Sequence, residues 1–102
     1  MSYSKVVAII NITDYGLISE PLMKLNIPGV TVSMVRGFGD YVNNFDPHGF
    51  SDNMKIEIYT STEQASGIAE VLTRLANEMT EGGGIIAVEP VSQLMNVRKL
   101  NT

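Results

Sequence analysis

Apolar residues recur along this chain with two alternating periods. Val6-Val7-Ala8-Ile9-Ile10 is a short run rich in β-branched side chains behind Lys5, which reads as a strand covered on both faces. Thr13-Asp14 then offers a helix cap, and Leu17, Ile18, Leu22 and Leu25 follow at helical spacing. Gly16 weakens that helix and Pro21 lacks the N–H its turn needs, so the spacing predicts a helix that is short, or kinked near Ser19-Glu20. Ile27-Pro28-Gly29 is a turn signal, and Val30 to Val35 alternates into a second strand. Met54 to Thr60 is a third, with Met54, Ile56 and Ile58 on one face and Lys55, Glu57 and Tyr59 on the other. Ser61-Thr62-Glu63-Gln64 matches a capping box. Behind it, Ala65, Ile68, Leu72, Leu75, Ala76 and Met79 form the apolar stripe of a long amphipathic helix. After Glu81-Gly82-Gly83-Gly84, the run Ile85-Ile86-Ala87-Val88 predicts a fourth strand, closed by Pro90 and followed by a tail over 91–102.

The order β-α-β-β-α-β predicts an α+β, ferredoxin-like domain: one antiparallel sheet with two helices on one face. At 102 residues the chain is a single domain, 1–102, of a size that often leans on oligomerisation. The other sheet face would carry Lys55, Glu57 and Tyr59, or their opposite-face neighbours, beside Val7, Ile9, Val32 or Val35. Such a mixed apolar surface is normally covered by another subunit, and a symmetric oligomer is the economical solution.

One stretch has no period. Residues 37–53 hold three glycines, one proline, three Asp and three Asn, and loops of this length in a compact domain are usually functional or disordered. Composition narrows what such a loop can do. Cysteine is absent, which excludes disulfides, thiolate metal sites and a cysteine nucleophile. Seven Lys plus Arg against eleven Asp plus Glu give a formal charge of -4, which argues against nucleic acid as a partner. No apolar run approaches the ~20 residues of a membrane span and no leader pattern precedes Val6. The expectation is a soluble, cytoplasmic protein without direct membrane insertion.

Catalytic chemistry finds little support. The single histidine is His48, in the loop. A triad from Ser51, His48 and Asp46 would be too local to hold its geometry. Asp46, His48 and Asp52 have suitable types for a metal but no established ligand spacing. No catalytic residue and no required cofactor or metal is therefore assigned. Two glycine groups matter more, Gly37-Phe38-Gly39 and Gly82-Gly83-Gly84, because glycine lets backbone N–H groups wrap a phosphate. Neither matches the dinucleotide fingerprint or the P-loop pattern.

Taken with their surroundings, Gly29-Val30-Thr31-Val32-Ser33-Met34-Val35-Arg36-Gly37-Phe38-Gly39, the long loop, Lys55-Ile56-Glu57-Ile58, and Ile86-Ala87-Val88-Glu89-Pro90-Val91 closely resemble the nitrogen-regulatory P-II signal-transduction family. The resemblance covers nearly the whole chain. It implies a homotrimer that binds adenine nucleotides in clefts between subunits and regulates transporters or enzymes by contact. Residues 39–53 correspond to the family's effector T-loop, which includes Asp40, Tyr41, Phe45, His48 and Phe50, and 81–84 to its B-loop. The resemblance places Ile9, Gly29, Val30 and Thr31 around adenine, with Glu57, Ile58 and Tyr59 nearby. Gly37, Phe38, Gly39, Gly82, Gly83 and Gly84 would meet ribose and phosphates, with Arg98 as a phosphate ligand.

Departures from the family pattern carry information of their own. Asp40 stands where the family has an arginine, Tyr41 where it has a glutamine, Asn53 and Ile85 where it has lysines, and Asn96 where it has an arginine. ATP presents about four negative charges, and Arg98 beside Asp40 and Glu81 would compensate few of them. The resemblance with these losses implies ADP or AMP rather than ATP, and no response to 2-oxoglutarate. The pattern G-F-G-D-Y, G-F-S and E-G-G-G is similar to branches linked to inorganic-carbon uptake. That similarity implies bicarbonate as a further signal, with Arg98 or Lys99 as its cation, and a membrane transporter or its accessory subunit as the partner. Two alternatives stay open: a metal-tolerance or metal-efflux relative using His48 and the loop aspartates, and a nitrogen-metabolism regulator.

Overall fold

A computed structural model describes residues 2–13, 15–39, 49–80 and 83–97. The elements run β1 (Tyr3–Ile10), α1 (Tyr15–Met23), β2 (Thr31–Gly37), β3 (Ser51–Ser61), α2 (Thr62–Met79) and β4 (Gly84–Val91). The sheet order is β2-β3-β1-β4 with every neighbouring pair antiparallel. This is the ferredoxin-like α+β arrangement that the element order predicts.

Register decides which side chains reach the core. Val6, Ala8 and Ile10 of β1 are opposite Ile58, Ile56 and Met54 of β3, and all six are buried beneath the helices with Ile18, Leu22, Ala65, Ile68 and Leu72. Each large aliphatic side chain buried there contributes about 1.5–3 kcal/mol. The alternate residues of β1, Val7 and Ile9, are only half-buried. Strand one is therefore covered on one face within the chain, not on both as its continuous apolar run predicts, because both helices pack on the same side. Val35 shares the open face opposite Asn53, whereas Val32 pairs with Ile56 on the helix side.

Local chemistry accounts for the element ends, with corrections. α1 is nine residues long and contains Pro21. Its buried side chains are Ile18 and Leu22, while Leu17 is 56% exposed. The stripe thus runs 18, 22, 25, and Leu17 lies about 100° away from it. Asp14 of the expected cap lies outside the described residues. Ser61 does occupy the N-cap of α2, yet its side chain makes no capping hydrogen bond. The expected capping box is replaced by other contacts: Gln64 accepts from Thr60 Oγ1 at 3.2 Å, Thr62 N–H donates to the Ser2 carbonyl at 3.1 Å, and the Ser4 and Thr62 hydroxyls meet at 3.0 Å. At the other end the Thr80 hydroxyl and N–H both donate to the Ala76 carbonyl. β4 continues through Pro90 to Val91. Being an edge strand, it tolerates a residue without an N–H, so Pro90 does not end it. Among the described residues, no helix is long and apolar enough to cross a membrane.

Candidate functional site

Antiparallel pairing sorts the candidate residues by position along the strands. Where the turn at Pro28-Gly29 delivers the chain into β2, Thr31 lies opposite Glu57, and Glu57 lies opposite Val7 on the other flank. Tyr59 follows two residues later on the same face, opposite Lys5. Leu94 and Asn96 of the tail close the space. Together they line a cavity of about 510 Å³ whose walls include Gly29, Val30, Thr31, Glu57 and Tyr59. Five residues assigned to the adenine pocket thus share one cavity. Two other residues assigned there do not line it: the side chain of Ile58 is fully buried in the core, because it projects to the helix side of β3, and Ile9 lies farther along β1, opposite Lys55 and Ile85.

The electrostatics of this cavity centre on Glu57. Its Oε2 is 2.7 Å from Lys5 Nζ, and its Oε1 is 4.0 Å from Lys55 Nζ. The hydrogen bond from Lys5 holds the Glu57 carboxyl below the ordinary carboxylate range, helped by the charges of Lys5 and Lys55 and opposed by desolvation. Lys5 is correspondingly raised, first by that hydrogen bond, against desolvation, and then by the charges of Glu57, Tyr59 and Glu89. The same ammonium sits 5.7 Å from the centre of the Tyr59 ring, within range of a cation–π contact. Neither Lys nor Arg is among the described residues lining the cavity. Within the chain the main partner of Glu57 is Lys5, and Arg36 pairs with Asp52 at 3.0 Å. The signal for Lys5 was its odd-numbered place in β1, which the register puts beside Glu57 and Tyr59.

The remaining candidates lie at the far end of the sheet. Gly37 is opposite Ser51, and just beyond it the rings of Phe38 and Phe50 meet edge-on with centroids 4.9 Å apart. Gly39 leaves the strand with φ 127°. On the opposite edge, Gly84 pairs with Ile10, and Ile85 with Ile9. Gly84 has φ 140°, and a Cβ there would lie 2.5 Å from the Ile9 carbonyl oxygen, so only glycine fits. Gly83 and Gly84 line a second cavity of about 220 Å³ with Thr80 and Ile85. From Thr31 to Gly37 the strand advances six residue steps, or about 20 Å. One chain therefore does not bring Gly37 to the cavity beside Thr31, and Gly83 and Gly84 line a separate one. Asp40, Tyr41, Phe45, His48, Gly82 and Arg98 lie outside the described residues, as do Asp46 and Lys99.

Asn53 is the third residue of β3, so residues 51–53 are paired strand and not the end of the loop as their lack of period predicts; its side chain is fully buried. Its Nδ2 donates to the Ser51 carbonyl at 3.0 Å and to the Ser51 hydroxyl at 3.2 Å, while its Oδ1 has no partner among the described residues. Among those residues no group of three or more His, Asp or Glu could hold a metal ion.

Comparison with known proteins places this geometry in a wider set. The family model described as "Nitrogen regulatory protein P-II" matches residues 3–101. The "Nitrogen regulatory protein P-II homolog" of Arabidopsis thaliana is 34% identical over 94% of this chain. The chain spans about half the length of the plant relatives it matches, 53% for Arabidopsis and 49% for rice, Oryza sativa. Among solved structures, Arabidopsis PII bound to citrate has TM-score 0.72 and 32% identity, covering 94% of this chain and 83% of that one. The B. subtilis GlnK–ATP complex has the same TM-score at 23% identity, covering 94% and 89%, a likeness of fold.

Proposed function

This chain belongs to the nitrogen regulatory protein P-II family, and from that premise we propose that it is a homotrimeric, non-catalytic sensor of adenine nucleotides selective for ADP and AMP over ATP. Its effector loop, the segment between β2 and β3, regulates a membrane transporter or its accessory subunit, with inorganic carbon as the transported species and bicarbonate as a second signal. The observation that carries this reading is the cavity lined by Gly29, Val30, Thr31, Glu57 and Tyr59, with no cation among its described lining residues. Such walls suit a nucleoside: glycine backbone and Val30 for a planar base, and hydroxyls and a carboxylate for its donors. They do little for a polyphosphate.

Two further observations support the reading. Gly37 stands about 20 Å from Thr31 along β2, and Gly83 and Gly84 line a separate cavity at the start of β4 on the other edge of the sheet, so a site using these groups with Thr31 draws them from different subunits. Ile85, 43% exposed beside Gly84, offers an apolar side chain where a phosphate would need a charge. The GlnK–ATP complex shows that a protein of this fold takes ATP, and the Arabidopsis relative was solved with the anion citrate. Calorimetric titration with AMP, ADP, ATP and bicarbonate tests the proposal. Binding of ADP or AMP is expected, and no binding of either at millimolar concentration contradicts it.

A further inference from the structure

Lys5 does not line the nucleoside cavity, yet it contacts two residues that do. Its Nζ lies 2.7 Å from Glu57 Oε2 and 5.7 Å from the centroid of the Tyr59 ring. Glu57 and Tyr59 alternate along β3 with Ile58 between them, so both project on the sheet face opposite the core, and the register sets Lys5 of β1 directly across from Tyr59. Lys5 and Glu57 are each about one-fifth exposed, enough to be held in one geometry by neighbours. An ion pair of this kind is a charge-assisted hydrogen bond, shorter and more directional than a neutral one. Glu57 has two oxygens with unequal duties. Oε2 is committed to Lys5, whereas Oε1 is 4.0 Å from the nearest ammonium, Lys55, too long for a full hydrogen bond. Oε1 retains its acceptor capacity.

Resting on the nucleoside reading of this cavity, we propose that Lys5 is a positioning residue for ligand recognition: it ties down one oxygen of Glu57 and steadies Tyr59, so that the other Glu57 oxygen is presented as a fixed acceptor to a hydroxyl or amine donor of the ligand. The donor belongs to the sugar diol or to the exocyclic amine of the base. A carboxylate accepts from either but rejects a carbonyl at the same place, because two acceptors would then face each other without a proton. Lys5 adds a second effect, cancelling the negative charge of Glu57 that would otherwise repel the ligand phosphates.

The test is a double-mutant cycle read by calorimetry on the oligomer, using Lys5→Met, Glu57→Gln and the double variant, with Lys5→Arg as the charge-keeping control. Circular dichroism and size-exclusion chromatography establish that each variant is folded and assembled. For ADP, Lys5→Met and Glu57→Gln each weaken binding about tenfold, the double variant is no weaker than the worse single, and Lys5→Arg recovers most of the loss. Swapping ADP for 2′-deoxy-ADP, or for IDP, costs a similar factor in the wild type and little in Lys5→Met; whichever analogue behaves so identifies the donor. An unchanged ADP affinity in Lys5→Met overturns the proposal, as do losses in the two single variants that multiply in the double. Should Lys5→Met not fold, the Lys5→Arg and Glu57→Gln titrations decide: Glu57→Gln with unchanged affinity and analogue discrimination overturns it. Wild-type protein that binds no nucleotide overturns the nucleoside reading itself, and this proposal with it.

Discussion

Thr31 and Gly37 bound the same strand, facing Glu57 at one end and Ser51 at the other. The six-residue interval puts about 20 Å between them, so groups that a nucleotide site would use together are held apart within each chain. A consequence is complementation. Thr31→Trp fills the cavity proposed for the nucleoside and Ile85→Trp obstructs the glycine end, and each alone should abolish ADP binding. Unfolded together and refolded as mixed oligomers, the two variants should regain a fraction of the sites in calorimetry, because some interfaces then combine two intact halves. Mixed oligomers that still bind nothing would place the whole site within one chain.

The Lys5–Glu57 pair should leave a mark on the pH dependence of stability. Glu57 is depressed in the folded state, so its contribution is present above the ordinary glutamate value, about 4.3, and fades as pH falls through the folded value. Lys5 is raised, so its contribution is fully present below the ordinary lysine value, about 10.4, and is lost as pH rises through the folded value. The stability difference between wild type and Lys5→Met should be largest from about pH 5 to 10 and narrow at both extremes. Tyr59, Glu89 and Lys55 lie around the pair, and titrations unconnected with it cancel in the difference. Urea unfolding across pH supplies the measurement.

Two glycines should respond in opposite directions to alanine. At Gly84, φ is 140° and the new Cβ would meet the Ile9 carbonyl oxygen at 2.5 Å, so Gly84→Ala should cost about 1–3 kcal/mol. Gly67 lies within α2 with nothing within 4 Å of its Cβ position, so Gly67→Ala should gain about 0.5–1 kcal/mol. Denaturant midpoints of the two variants against wild type decide both.

Asn53 is a further sensitive point. Replacing it by aspartate removes the donor that now serves the Ser51 carbonyl and hydroxyl, and buries an anion beside an oxygen that already lacks a partner. Asn53→Asp should cost about 2 kcal/mol or more. Burial raises the new carboxyl above its ordinary value, so the loss should shrink as pH falls toward about 4, the folded state taking up the proton first, and urea titrations at two pH values would show it.

Much of this architecture is legible in the sequence because periodicity reports burial directly. The alternation of Met54, Ile56 and Ile58 against Lys55, Glu57 and Tyr59 fixed both faces of β3, and the stripe from Ala65 to Met79 fixed α2. What a linear pattern cannot carry is register and competition. Strand one reads as doubly covered because Val7 and Ile9 are as apolar as Val6 and Ala8. The capping box at Ser61 failed because Gln64 engages Thr60 instead, a choice between two nearby oxygens that a motif does not record. Lys5 became visible as the partner of Glu57 only once β1 was set antiparallel to β3 in its actual register. Family resemblance singles out Glu57 and Tyr59 as candidates, and both line one cavity, but a resemblance carries position and not the contacts that hold a side chain in place.

The central claim, an adenine-nucleotide site that lost its cations, is tested most directly by the ratio of ADP to ATP affinity in wild type and in the variant Ile85→Lys/Asn96→Arg. Asn96 lines the cavity beside Thr31 and Ile85 the glycine-end cavity, so the pair returns charge to both halves of the proposed site. Calorimetry should find ADP tighter than ATP in the wild type, and ATP binding strengthened about tenfold or more in the variant. Wild-type protein that binds ATP as tightly as ADP, with no gain in the variant, would contradict the account.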